Sequence, residues 1–349
     1  MATPDVTVMG GGIFGLSVAW ACLCRGARVR LIETMAIGAG SSGGLVGALA
    51  PHVPEHWNDK KQFQLDSLLM AEAWWQQVEA AGGLSAGYAR SGRVQPLADA
   101  AAVALAEARA VTAAQIWAGR AVWQVVPADR FPGWAPATPT GLVIHDTLSA
   151  RMHPRQAGAA LAAALHVRGA EVVIGRRAGP GGAVVWATGW QGLADLSAAL
   201  GRTVGGGVKG QSLTLSHDAR GQPQLFVDGL HIVPHADGSV AIGSTSEHDF
   251  ADPASTDAQI ETLHARAIAA VPALAAAPVL DRWAGVRPRA ATRAPMLGPW
   301  PGRPGHYVAN GGFKIGFGVA PRAAEAMADL VLDGRDTIPP GFRVEASLR

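Results

Sequence analysis

The chain has 349 residues, 49% of them hydrophobic and 16% charged, and its 29 Lys and Arg against 27 Asp and Glu leave a formal charge of +2. This length accommodates two domains with a sizeable core, and the balanced charge without a long basic run argues against nucleic acid as the main partner. No apolar stretch reaches the length of a membrane span, and the first strand starts too early to leave room for a signal peptide, so the expectation is a cytoplasmic protein.

The N-terminal run Val6 to Glu33 reads as strand, glycine turn, helix and strand. Val6 and Val8 suit a buried parallel strand, and Gly10, Gly12 and Gly15 form GxGxxG at a helix entry. Such glycines permit a tight turn and close approach of backbone N–H groups to a pyrophosphate. Ile13, Leu16, Trp20 and Leu23 continue at helical spacing, Gly26 is a helix stop, and the second strand ends in Glu33, where an acid accepts ribose hydroxyls. The motif specifies a dinucleotide without separating FAD from NAD. Cys22 and Cys24, the only cysteines, sit two apart on this helix, where side chains diverge and a disulfide is disfavoured.

Ala36 to His52 is a Gly- and Ser-rich loop. Further along, the spacing predicts helices at 59–81, 98–118, 154–169, 257–271 and 320–332, with strands at 90–97, 141–144, 171–174, 279–288 and 306–309. The segment from Val184 to Gly189 reads as a buried strand entering a glycine turn. Lys209 to Ile242 alternates apolar and polar residues between glycine turns, the pattern of antiparallel strands. His231 and His235 stand four apart on this sheet with no third ligand at metal spacing, and no metal is expected. His52 and His248 are read as loop histidines near the cavity, and Trp283 as sharing a strand face with Arg287.

In order along the chain stand the glycine motif, AGSSGGLVGALAP, VVWATG, KGQ at Lys209 to Gln211 and IVPHADGSVAIGST. WAGVRP at Trp283 to Pro288, PMLGP and NGGFKIGFGVAP at Asn310 to Pro321 complete the series. With these motifs the chain resembles the FAD-dependent D-amino acid oxidase family, which includes glycine oxidase and sarcosine oxidase. The resemblance implies an α/β fold, α+β overall, with a Rossmann-like FAD-binding domain interleaved with a mixed or antiparallel-sheet substrate domain. The first is expected at 1–85, 140–200 and 285–349, the second at 86–139 and 201–284.

The same resemblance implies FAD contacts from Gly10, Gly12, Ile13, Phe14, Gly15 and Glu33 in the nucleotide unit. Ser41, Ser42, Gly43, Gly44 and Leu45 follow in the loop, then Val172 or Val173 by its backbone at adenine, with Thr188 and Gly189. Gly312, Phe313, Lys314, Ile315 and Gly316 lie before a closing helix with Pro321 near its first turn. Arg287 is implied to bind the substrate carboxylate through both oxygens, and Lys314 to offer a second cation. Together they hold one carboxylate twice or a dicarboxylate once. No cysteine falls in the C-terminal region and no histidine in the Ser41 to Ala50 loop where relatives attach flavin, so FAD is expected to be non-covalent. Thr292 and Arg293 replace an Asp-Gly turn common in relatives, and the stretch from Ile174 to Val184 is short. The implied reaction is oxidation of a C–N bond in a small or N-substituted amino acid by hydride transfer to flavin, with oxygen or another electron acceptor as partner and an oligomer possible. Alternatives are a 2-hydroxy acid dehydrogenase on the same fold and the FAD subunit of a hetero-oligomeric amine dehydrogenase.

Overall fold

Sixteen strands, fourteen of them in two large sheets, and seven α-helices, all numbered in chain order, make up the computed structural model, which describes residues 3–175, 179 and 181–348. The first sheet runs β15 (Met296–Pro299), β16 (His306–Asn310), β9 (Ala183–Trp186), β1 (Val6–Met9), β2 (Val29–Glu33), β8 (Glu171–Ile174). All its pairs are parallel except β15 with β16. Val8 stands opposite Leu31 on one side and Val185 on the other, so the centre of the sheet is aliphatic and buried. Such a sheet needs helices on its faces. Helix α1 (Ile13–Cys24) packs against α7 (Gly316–Asp333) and α4 (Pro154–Val167), while α2 (Asp59–Gly82) packs on both α7 and α4. Asn58 caps α2 by accepting the Lys61 N–H at 3.1 Å, and Gly83 ends it in the left-handed conformation.

The second sheet has the order β14 (Val279–Ala290), β10 (Gly205–Ser216), β13 (Ser239–Gly243), β12 (Leu230–Pro234), β11 (Gln224–Val227), β4 (Arg93–Pro96), β6 (Leu142–Asp146), β5 (Trp123–Pro127). Only β11 with β4 is parallel among its pairs. Helix α6 (Gln259–Ala270) covers one face, packing Ile260, Leu263 and Ala267 among Leu213, Leu215 and Ile242. Helix α3 (Ala100–Trp117) lies on β5 at the far edge. A small two-stranded sheet, β3 (Ala48–Leu49) with β7 (Ala150–Arg151), joins the Gly- and Ser-rich loop to the entry of α4. At the other end an isolated bridge between Arg289 and Gly312 ties β14 to the loop before α7, where the Phe313 N–H donates to the Pro288 carbonyl at 3.0 Å.

Several expectations change. β6 belongs to the eight-stranded sheet although its residues were assigned to the nucleotide-binding part, because it pairs with β4 and β5 and has no partner in the parallel sheet. β14 runs unbroken through residue 285, where a boundary was expected. The glycine turn after β9 is the start of a helix, α5 (Gly189–Leu200), which buries Leu193 and Leu196. Helix α7 begins at Gly316, four residues before the expected start, so Pro321 lies inside it. Gly316 and Gly318 are weak helix formers, but Gly318, Val319 and Ala320 are buried, and packing overrides propensity there. Of the short stretch between Ile174 and Val184, residues 176–178 and 180 lie outside the described residues.

Candidate active site

A cavity of about 690 Å³ opens between the two sheets. One end is built by the β1–α1 turn. Helix α1 follows the N-cap Gly12 with no acid in its first turn, so its positive end faces the cavity. The Ile13 N–H donates to Ser42 Oγ at 2.9 Å, which draws the Ser41–Gly43 turn across this helix end. Glu33, at the end of β2, accepts the Gly11 N–H at 2.7 Å and the Met35 N–H at 2.9 Å, which holds the carboxylate at the cavity edge with acceptor sites left over. Gly10 has φ +109°, and a Cβ there would lie 2.4 Å from the Ala187 carbonyl oxygen, so only glycine fits.

The other end carries Arg287, on β14, and Lys314. Nη1–H of Arg287 donates to Ser244 Oγ at 2.6 Å, and Nη2 donates to the carbonyls of Thr245 at 2.7 Å and Lys209 at 3.2 Å. Three of the five guanidinium N–H groups are thus held by the protein, while Nε is buried with no partner among the described residues. The expected two-oxygen grip at the tip of the guanidinium therefore competes with Ser244, and Nε–H with one Nη1–H remains on offer. Burial pushes the guanidinium down to about 10, against a smaller upward pull from Glu247, so it stays charged at neutral pH. Glu247 sits 3.7 Å from the buried Lys209 ammonium and pairs with Thr245 and Gln211. Burial, and then the charge of Arg287, lowers the Lys314 ammonium. Phe313, at φ +43°, has three cations near its ring: Arg287 Cζ at 5.6 Å from the centroid, Arg289 Cζ at 5.8 Å and Lys314 Nζ at 5.8 Å.

Of the expected site residues, Gly10, Gly12, Ile13, Phe14, Glu33, Ser41, Ser42, Gly44 and Leu45 line this one cavity. So do Thr188, Gly189, Arg287, Gly312, Phe313, Lys314 and Gly316. Four do not. Gly15 packs on the Gly10 carbonyl, where a Cβ would come within 1.9 Å of the oxygen, and Gly43 packs in the same way on the Gly38 carbonyl, at 2.4 Å. Val173 lies on the edge strand β8 opposite Ile32, and Ile315 turns back as the N-cap of α7. Trp283 shares the Arg287 face as expected, whereas His52 binds Gln64 and His248 is exposed, both away from the lining.

Trp190, Phe226, His231 and Ser244 line the cavity and were not foreseen there. The two strand histidines part company. His231 faces the cavity beneath Phe226, 4.7 Å between ring centroids, with Nδ1 unpartnered among the described residues. Burial first, then the charges of Arg93 and Lys314, pushes it down to about 3. His235 instead joins His153 and Asp237 at the junction of the sheets, their ligand-type atoms within 4.8 Å of one another. It is buried, its Nδ1 lies 3.2 Å from Ser239 Oγ, and burial pushes it down to about 4.

A family described as FAD dependent oxidoreductase matches residues 5–330. The chain belongs to that family. Over 132 residues this FAD-dependent oxidoreductase is 36% identical to a glycine oxidase of Pseudomonas aeruginosa, a match covering 38% of this chain and 36% of that one. The match thus spans about a third of that relative's length. A Rhizobium etli protein assigned as a thiamine biosynthesis oxidoreductase, ThiO, is 31% identical over 94% of this chain and 96% of its own. In fold, the oxidoreductase superposes on the crystal structure of glycine oxidase from Geobacillus kaustophilus with a TM-score of 0.85 at 22% identity, covering 98% of each chain.

The residues present fit FAD. The N-terminal end of α1, a carboxylate held at the end of β2 and a cavity between the sheets suit pyrophosphate, ribose and an extended dinucleotide in turn. Cys22 and Cys24 are free on α1 and neither lines the cavity. No helix among the described residues is long and apolar enough to cross a membrane.

Proposed function

We propose that this oxidoreductase oxidises the C–N bond of a small or N-substituted amino acid, giving an imine that water hydrolyses. The supporting observation is Arg287, a half-buried, charged guanidinium on the cavity wall with Nε–H and one Nη1–H unmatched among the described residues, facing the same cavity as the N-terminus of α7, which has no side-chain cap. In this reading Gly10, Gly12, Ile13, Glu33 and Ser42 hold the adenosine and pyrophosphate part of FAD, and Gly312 to Gly316 hold its isoalloxazine. FAD, when bound, accepts the hydride released from the substrate α-carbon. The chain supplies position and field. Arg287 takes the carboxylate, the first N–H groups of α7 add positive potential where negative charge develops, and Trp190, Phe226 and Phe313 keep water from the reacting carbon.

An amine that binds unprotonated needs no protein base. A 2-hydroxy acid does, to take its hydroxyl proton, and His231, the one imidazole lining the cavity among the described residues, is pushed down to about 3 and is a poor acceptor at neutral pH. That favours amines. Anaerobic addition of glycine, N-alkyl amino acids and hydroxy acids to the flavin-loaded protein tests the proposal by bleaching of the flavin band, and readmission of air tests oxygen as the acceptor. Reduction by hydroxy acids alone would overturn it.

A further inference from the structure

Two cations face the cavity with no acidic partner of their own. Lys314 makes no ion pair among the described residues, and it shares the Phe313 ring with the other cation, Lys314 Nζ lying 5.8 Å and Arg287 Cζ 5.6 Å from the ring centroid. Half-buried charges left uncompensated are costly, and an anion entering the cavity relieves the cost. A monocarboxylate whose amine is unprotonated carries one negative charge and neutralises only one of the two.

A second feature converges on Lys314. His231 lines the same cavity as Lys314, and its buried Nδ1 has no hydrogen-bond partner among the described residues. It is held in place by the Phe226 ring. A buried ring nitrogen without a partner marks a place where a polar group belongs. Neutral imidazole carries one N–H, so an anion beside Lys314 gains both a charge partner and a donor.

Resting on the amine-oxidation reading, we propose that the substrate is an amino acid bearing a second carboxylate. Arg287 receives the carboxylate next to the reacting carbon, and Lys314 with His231 forms the subsite for the distal one. With the amine unprotonated, such a substrate brings two negative charges to the two cations.

Two measurements on the flavin-loaded protein test this. The first is binding of succinate and of acetate, neither oxidisable here, followed by perturbation of the flavin absorption. Succinate is expected to bind at least tenfold more tightly, and Lys314→Met to remove that preference while Lys314→Arg restores most of it. The second is kcat/KM for iminodiacetate and aspartate relative to sarcosine and glycine, a ratio expected above ten and expected to fall about tenfold or more in Lys314→Met and in His231→Phe. Equal binding of acetate and succinate overturns the subsite, as does equal weakening of both by Lys314→Met. Turnover of sarcosine or glycine without preference for dicarboxylates removes the subsite and leaves amine oxidation standing. Preferential succinate binding with no amine oxidised keeps the subsite and removes the reaction.

Discussion

Substitution of Gly12 by Ala separates the fold from cofactor binding. Gly12 has φ −81° and ψ 179°, an extended conformation open to alanine, and the built Cβ meets only the Ser42 side chain, at 3.1 Å from Oγ. Alanine also restricts the unfolded chain, a stabilising effect of about 0.4–1 kcal/mol that offsets a small displacement of Ser42. The fold is therefore expected to survive, with an unchanged far-ultraviolet spectrum and a melting temperature of the apoprotein within a few degrees of wild type. The methyl group, however, lies on the cavity wall at the N-terminal end of α1, where the pyrophosphate is proposed to lie. Losing one charge-assisted hydrogen bond there costs about 1.5–3 kcal/mol, or roughly a 10- to 100-fold rise in the FAD dissociation constant. Titration of apoprotein with FAD, read by quenching of flavin fluorescence, measures this directly. An unchanged constant in a folded variant would refute the placement of the pyrophosphate at this turn. Gly10→Ala is the control, expected to fail at folding because its Cβ would lie 2.4 Å from the Ala187 carbonyl oxygen.

Arg287→Ala should raise KM for a carboxylate substrate by about 100-fold, since truncating one member of a buried charge pair costs about 2–5 kcal/mol, and an unchanged KM in steady-state assays would sink the assignment. Gly210→Ala should do much the same without altering any charge, because its Cβ would fall 2.4 Å from Arg287 Nη2 and displace the guanidinium. His235, pushed down to about 4 from 6.5, binds its proton more weakly folded than unfolded, so its contribution is complete above pH 6.5 and is lost as pH falls towards 4. Denaturant titrations should show about 3 kcal/mol of stability lost across that window, with the slope flattened in His235→Gln. Zinc is expected to leave the melting temperature unchanged, His153, His235 and Asp237 forming a polar junction, and a saturable rise abolished by Asp237→Asn would refute that.

The nucleotide-binding unit was legible because its signals are local. Gly10, Gly12 and Glu33 owe their places to a turn and a strand end within one supersecondary motif, and the structure gathers them at one end of the cavity. Gly15 was legible as a glycine but not in its place, since only packing shows that it sits beneath the turn and touches nothing in the cavity. Helix α5 was missed because Gly189 looks like the end of a strand, and its buried Leu193 and Leu196 are too few to announce a period. Trp190 and Phe226 read as core, since an aromatic on a cavity wall and one in a core look alike in one dimension. Alternation put His231 on a face of a strand, and nothing local says that this face closes over the cavity. The Ser244 contact that competes for Arg287 arises across 43 positions and has no local signature.

The bridge between Arg289 and Gly312, with the Phe313 N–H on the Pro288 carbonyl, makes the strand that carries Arg287, the proposed carboxylate anchor, and the proposed flavin-facing loop parts of one backbone ladder. Their spacing works as a fixed gauge, indifferent to side-chain rotamers. Variants engineered to take longer or bulkier substrates thus have little freedom on that wall. New substrate scope would have to be written in the opposite one, in the hairpin that carries Phe226 and His231, where residues can change size without altering the distance from anchor to cofactor.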